Sequence, residues 1–109
     1  PQAKIYNGSC SLGPAIQLLE PGDRLHEIPV EIAIQRAGAT VFQGNTSTAN
    51  MNRKMGDLVA YLFQELDFPQ GAFLLTGTGI VPPDDFTLAQ GDRVTIQVGN
   101  LTLSNPILA

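Results

Sequence analysis

Two hydroxyls and two backbones without side chains meet at Thr76-Gly77-Thr78-Gly79. They follow the apolar run Phe73-Leu74-Leu75 and precede Ile80-Val81-Pro82-Pro83. Glycine lets the main chain come close to a ligand. Threonine hydroxyls and neighbouring amides can hold a carboxylate or carbonyl oxygen without a full charge. The segment reads as a pocket rim, and the same four residues also suit a plain strand-exit loop.

A second candidate lies near the start of the chain. Lys4 precedes Asn7-Gly8-Ser9-Cys10-Ser11, a loop of small and hydroxyl-bearing residues. A lysine held by such a loop is a compact charge on a flexible stem, suited to a substrate carbonyl or carboxylate. A lysine there is also an ordinary solvated residue. Ser9 has no His–Asp partner pattern nearby, which argues against a hydrolase triad. Cys10 reads as a small buried residue rather than a nucleophile. Asp84 and Asp85 are adjacent, so in a strand their side chains diverge, which is poor for a shared metal and good for a solvated turn. His26 has no ligand set around it and reads as surface or interface. No clustered carboxylates supply a metal site or an acid/base pair within the chain.

The elements that must position these residues follow from periodicity. Pro14 to Leu19 reads as a short strand and Pro21-Gly22-Asp23 as a turn. Val30, Ile32 and Ile34 alternate with polar residues, predicting a half-buried strand over 29–35. Ala37-Gly38 is the turn and Thr40 to Gln43 the return strand of a hairpin. The polar stretch 44–50 reads as a loop, with Thr48 or Asn50 capping a helix over 52–66. Met55, Leu58, Val59, Leu62, Phe63 and Leu66 form its apolar stripe, interrupted by Gly56. Asp67-Phe68-Pro69 ends it. Ala72 to Leu75 reads as a strand. Pro82 to Asp85 and Leu88 to Asp92 read as turns. Val94, Ile96 and Val98 alternate in a strand that turns at Gly99-Asn100 into Leu101 to Leu103. The sum is a mostly β fold, a β-rich roll or sandwich of mixed, mainly antiparallel strands, with one amphipathic helix.

Composition narrows the function classes. A chain of 109 residues suits one domain. Its 43% hydrophobic content argues against disorder, and its 15% charged content is low enough to suggest a surface partly covered by a second domain or partner. The net charge of −4 and the lack of any basic run beyond Arg53-Lys54 leave no footprint for nucleic acid or an anionic membrane. No apolar run reaches the roughly 18 residues of a membrane span. One cysteine and one histidine rule out an internal disulfide and a Cys- or multi-His metal site. Without a signal peptide, the expected setting is the cytoplasm. The first residue is Pro1, not Met, so a preceding segment is expected.

Taken in order, several of these segments resemble the fumarylacetoacetate hydrolase superfamily. Ala3-Lys4-Ile5-Tyr6-Asn7-Gly8-Ser9-Cys10-Ser11-Leu12-Gly13-Pro14 is similar to the family's Lys-loop-Gly-Pro opening of its C-terminal half. Thr46-Ser47-Thr48, the helix from Leu58 to Leu66 and Thr76-Gly77-Thr78 follow in the family's order. So do Gly91-Asp92, Val94, Ile96, Leu103 and Asn105-Pro106 of the ending. Many family hydrolases and decarboxylases carry Thr-Gly-Thr-Pro, whereas Gly79 stands here after Thr78. That departure, with the Asn-Gly-Ser-Cys-Ser loop, is similar to the subgroup dehydrating 2-keto-3-deoxy sugar acids.

The resemblance implies a C-terminal-domain-like fold over 1–109, with the N-terminal part of the catalytic domain missing from this chain. It implies Mg²⁺ or a similar divalent cation held through a Glu-x-Glu pair and a downstream Asp. All of these precede the lysine in the family, so no metal ligand is expected here. Lys4 becomes the implied catalytic residue, steadying enolate charge or steering the carboxylate. Ser9, Gly77, Thr78 and Gly79 become the implied substrate-binding residues. The implied partners are a small 2-keto acid, the N-terminal part of the same protein and, as an open option, a second copy. Two other readings remain: C–C bond hydrolysis of acylpyruvate-type acids, and a non-catalytic β-rich dimerisation or interaction domain.

Overall fold

Valine and isoleucine alternate with polar residues from Val30 onward, and the backbone forms strand β1 over Pro29–Arg36. The computed structural model describes Ile5 and residues 7–108, so Lys4 lies outside the described residues. β1 turns at Ala37-Gly38, both with positive φ (49° and 82°), the twist a two-residue hairpin needs. β2, Ala39–Ser47, then runs back along β1. A bulge between Ile34 and Gln35 shifts the register, leaving Phe42 opposite Ile34 and Thr40 opposite Gln35. β3, Arg93–Val98, and β4, Leu101–Pro106, form the second hairpin around Gly99, whose φ is 59°. The four strands are antiparallel in the order β2-β1-β3-β4.

The register sorts the two faces. Ile32 pairs with Ile96 and Gly44, and Ile96 pairs with Leu103, so one face carries the apolar residues. The opposite face carries Glu31, Gln43, Thr95, Gln97 and Ser104, with Thr95 and Ser104 hydroxyls 2.9 Å apart across the ladder. Ile34 is the one buried hydrophobic residue among those described. Beside it the Phe42 and Phe86 rings lie 6.1 Å apart, tilted by 48°.

Helix α1, Met55–Leu62, is shorter than its apolar stripe predicts. Met55, Leu58 and Leu62 are half-buried, while Val59, Phe63 and Leu66 face solvent. Phe63 instead meets Phe68 edge-on at 5.3 Å where the chain folds back. The expected caps are used elsewhere. The Thr48 hydroxyl donates to Leu25 O at 2.6 Å and accepts from Ile28 N at 2.9 Å, and Asn50 Nδ2 donates to Thr46 Oγ1 at 3.0 Å. Lys54 occupies the N-cap position without a side-chain bond.

Four further expectations are corrected. The stretch 44–50 is not a loop throughout: β2 continues to Ser47 and a 3₁₀ turn covers Thr48–Asn50. Pro14 to Leu19 and Ala72 to Leu75 are not strands, because no ladder partner lies beside them among the described residues. Their apolar side chains are exposed, Phe73 by 67% and Leu18 by 84%. Cys10 is exposed rather than buried. No helix among the described residues is long and apolar enough to cross a membrane.

One polar latch fixes the return of the chain into the sheet. Gln35 pairs with Arg93, which sets Arg36 across from Asp92. Arg36 grips that carboxylate with two bonds of 2.8 Å, and Ala89 N donates to it at 2.8 Å. Arg36 Nη2 also donates to Thr87 O at 2.9 Å, and its guanidinium lies 5.8 Å from the Phe86 ring centre. Asp92 is fully shielded from water, while Arg36 stays 43% exposed. The guanidinium bonds, followed by the Ala89 amide, lower the Asp92 pKa to about 2.

Candidate substrate-binding hollow

β-Branched residues on the apolar face build the floor of a hollow of about 680 Å³: Val30 and Ile32 from β1, Ile96 and Val98 from β3. One wall is the Thr76–Ile80 bend. The other is the chain from Thr46 at the end of β2 into the first turn of α1. The volume lies in the range of small-molecule sites, and an apolar floor with a few polar groups on its rim is their usual chemistry.

The bend holds its shape by local bonds. Gly77 has φ of 82°, a conformation that L side chains rarely adopt. Thr78 Oγ1 accepts from Ile80 N at 3.1 Å and donates to Ile80 O at 3.3 Å. Its hydroxyl therefore stiffens the turn that presents the amides of the bend. Ile80 in turn rests on β2: a Cβ added at Gly44 would stand 2.7 Å from Ile80 Cγ2. The glycine at position 44 thus lets the bend settle onto the sheet.

Gly77, Thr78 and Gly79, all expected at the pocket, line this hollow together. Ser9 does not line it. Its loop runs along the outer strand instead, where Ser11 Oγ donates to Asn105 Oδ1 at 3.2 Å and Gly13 faces Leu103. Lys4 is outside the described residues. The opposite wall contributes Thr46, Ser47, Asn50, Asn52 and Arg53, which sequence reasoning did not assign to the site. The ordered Thr-Ser-Thr segment and the Arg53-Lys54 pair were their only visible signals. Arg53 also lines a smaller neighbouring hollow of about 500 Å³ with Asp57, Leu58, Tyr61 and Leu74. Among the described residues no three His, Cys, Asp or Glu side chains lie close enough to hold a metal ion. These residues do not fit a divalent cation.

A four-stranded antiparallel sheet with one short helix, and a threonine-glycine bend beside its apolar face, defines a β-rich domain with a hollow of small-molecule size. The chain belongs to the fumarylacetoacetate hydrolase family: residues 1–108 match the family described as fumarylacetoacetate (FAA) hydrolase C-terminal. It is similar to a probable 2-keto-3-deoxyxylonate dehydratase of Haloferax volcanii, 37% identical over 98% of this chain and 37% of that protein. A 2-dehydro-3-deoxy-D-arabinonate dehydratase of Saccharolobus solfataricus is 36% identical over 98% of this chain and 36% of its own length. Among solved structures, a 2-keto-3-deoxy-D-arabinonate dehydratase complexed with magnesium and 2,5-dioxopentanoate superposes with a TM-score of 0.93. It is 36% identical, with 99% of this chain and 39% of that one covered. The chain spans just over a third of the length of the curated relatives it matches.

Proposed function

We propose that this chain is the C-terminal part of the catalytic domain of a cytoplasmic dehydratase acting on a 2-keto-3-deoxy sugar acid. Identity above a third along nearly the whole chain to two such dehydratases is the observation that carries this reading. The Gly79 departure from Thr-Gly-Thr-Pro supports it from the sequence side. The compartment agrees with an exposed free thiol at Cys10, which stays reduced in the cytosol.

In such a substrate the 2-keto group acidifies the C3 proton, and loss of the neighbouring hydroxyl completes the removal of water. The residues described here take the binding share of that work. The apolar floor excludes water from one side of the substrate. The amides around Gly77 and Gly79, stiffened by Thr78, present donors to its oxygen atoms. Lys4 is the proposed cation for the developing enolate charge. The magnesium of the related dehydratase finds no ligand set among the described residues, so the proposed cation site belongs to carboxylates beyond them.

Incubating the intact protein with Mg²⁺ and 2-keto-3-deoxypentonates tests the reading. Conversion to the dioxo acid with loss of one water is the expected result. Release of pyruvate from acylpyruvates, without dehydration of the sugar acids, would replace it by C–C hydrolysis. Turnover of neither class would favour an interaction domain.

A further inference from the structure

Among the described residues, the walls of the larger hollow are apolar or neutral with one exception, the guanidinium-bearing Arg53. Among the described residues Arg53 makes no ion pair and no hydrogen bond, although Asp57, four positions on in the sequence, lines the adjoining hollow with it. Arg36, by contrast, is fully committed to Asp92, Thr87 and the Phe86 ring. An uncommitted guanidinium beside an uncharged cavity attracts an anion, and its planar fork matches the two oxygens of a carboxylate.

We propose that Arg53 is a specificity-determining residue: it recognises the substrate's carboxylate and selects acids over their neutral counterparts. The Thr76–Gly79 bend stands on the other wall of the hollow, so the substrate lies between the guanidinium and the bend's amides. The neutral rim of Thr46, Asn50 and Asn52 then faces its hydroxyl-bearing part. This inference rests on the 2-keto acid reading and adds the group that reads the charge.

The test uses the intact protein with saturating Mg²⁺ and two probes, 2-oxobutanoate and its uncharged amide, with binding measured by calorimetry. The unmodified protein binds the acid more tightly than the amide. Arg53→Met lowers affinity for the acid about ten- to hundredfold and leaves that for the amide within about threefold, as expected for a lost hydrogen bond to a charged group. Arg53→Lys restores part of the acid preference, since the charge returns without the fork. Equal weakening of both probes, or an unchanged acid affinity in Arg53→Met, overturns the proposal. The dehydration assay keeps the two ideas apart. Turnover of sugar acids with an unchanged KM in Arg53→Met removes Arg53 and keeps the dehydratase. Loss of acid selectivity in a protein that dehydrates nothing keeps Arg53 and removes the dehydratase.

Discussion

Thr78 shows how a residue chosen for one chemical reason serves another. Its hydroxyl suggests a direct ligand to substrate oxygen, yet it bonds both the amide and the carbonyl of Ile80. Its contribution therefore runs through the shape of the bend. In the intact protein, Thr78→Val should raise KM about three- to tenfold, the worth of one ordinary hydrogen bond, with kcat changing less. Thr78→Ser should restore most of the loss, because it keeps the hydroxyl. A Val variant with unchanged kinetics would remove Thr78 from the site. Thr76-Gly77-Thr78-Gly79 was legible in the sequence because glycine and hydroxyl chemistry are local properties. Arg53 was not, because nothing in its neighbours tells which cavity a surface arginine will border.

The contact between β2 and the bend is a property of elements rather than of single side chains. Glycine in a strand interior usually weakens the strand, yet Gly44 is where Ile80 comes down onto the sheet. Gly44→Ala should destabilise by about 1–3 kcal/mol, since the added carbon overlaps a branched side chain rather than a flexible tip. Ile80→Ala in the same protein should relieve part of that cost, giving a favourable coupling of about 1 kcal/mol in a double-mutant cycle. Additive losses in denaturant melts would mean that the two residues do not press on each other. The hairpins β1–β2 and β3–β4 were readable because their turns and alternation lie within a few residues. The apolar runs at 14–19 and 72–75 were misread for the opposite reason: an extended segment becomes a strand only where another backbone meets its N–H and C=O groups. The helix start was misplaced because Thr48 and Asn50, good caps by type, are held by Leu25, Ile28 and Thr46.

At the scale of the whole molecule, the Arg36–Asp92 latch ties the long crossover from β2 to β3 back onto the sheet. The Asp92 pKa falls from its ordinary 3.8 to about 2 on folding. A depressed carboxylate stabilises the fold fully above its unfolded pKa, and that support is lost as pH drops through the folded value. The melting temperature should therefore hold down to about pH 4 and lose this contribution between there and about pH 2. Asp92→Asn should lower the melting temperature at neutral pH and flatten that part of the profile; a parallel profile would exclude the latch as its source. The sequence by itself determined the strand alternation, the tight turns, the amphipathic helix and the glycine-threonine bend, since each depends on neighbours a few positions apart. Only the tertiary structure decided that Asp92 is buried against Arg36, that Gly44 receives Ile80, and that Arg53 is the one charged residue lining the hollow among the described residues. Those pairings join residues 36 or more positions apart or walls from separate segments, and only packing the chain onto one sheet face brings them together.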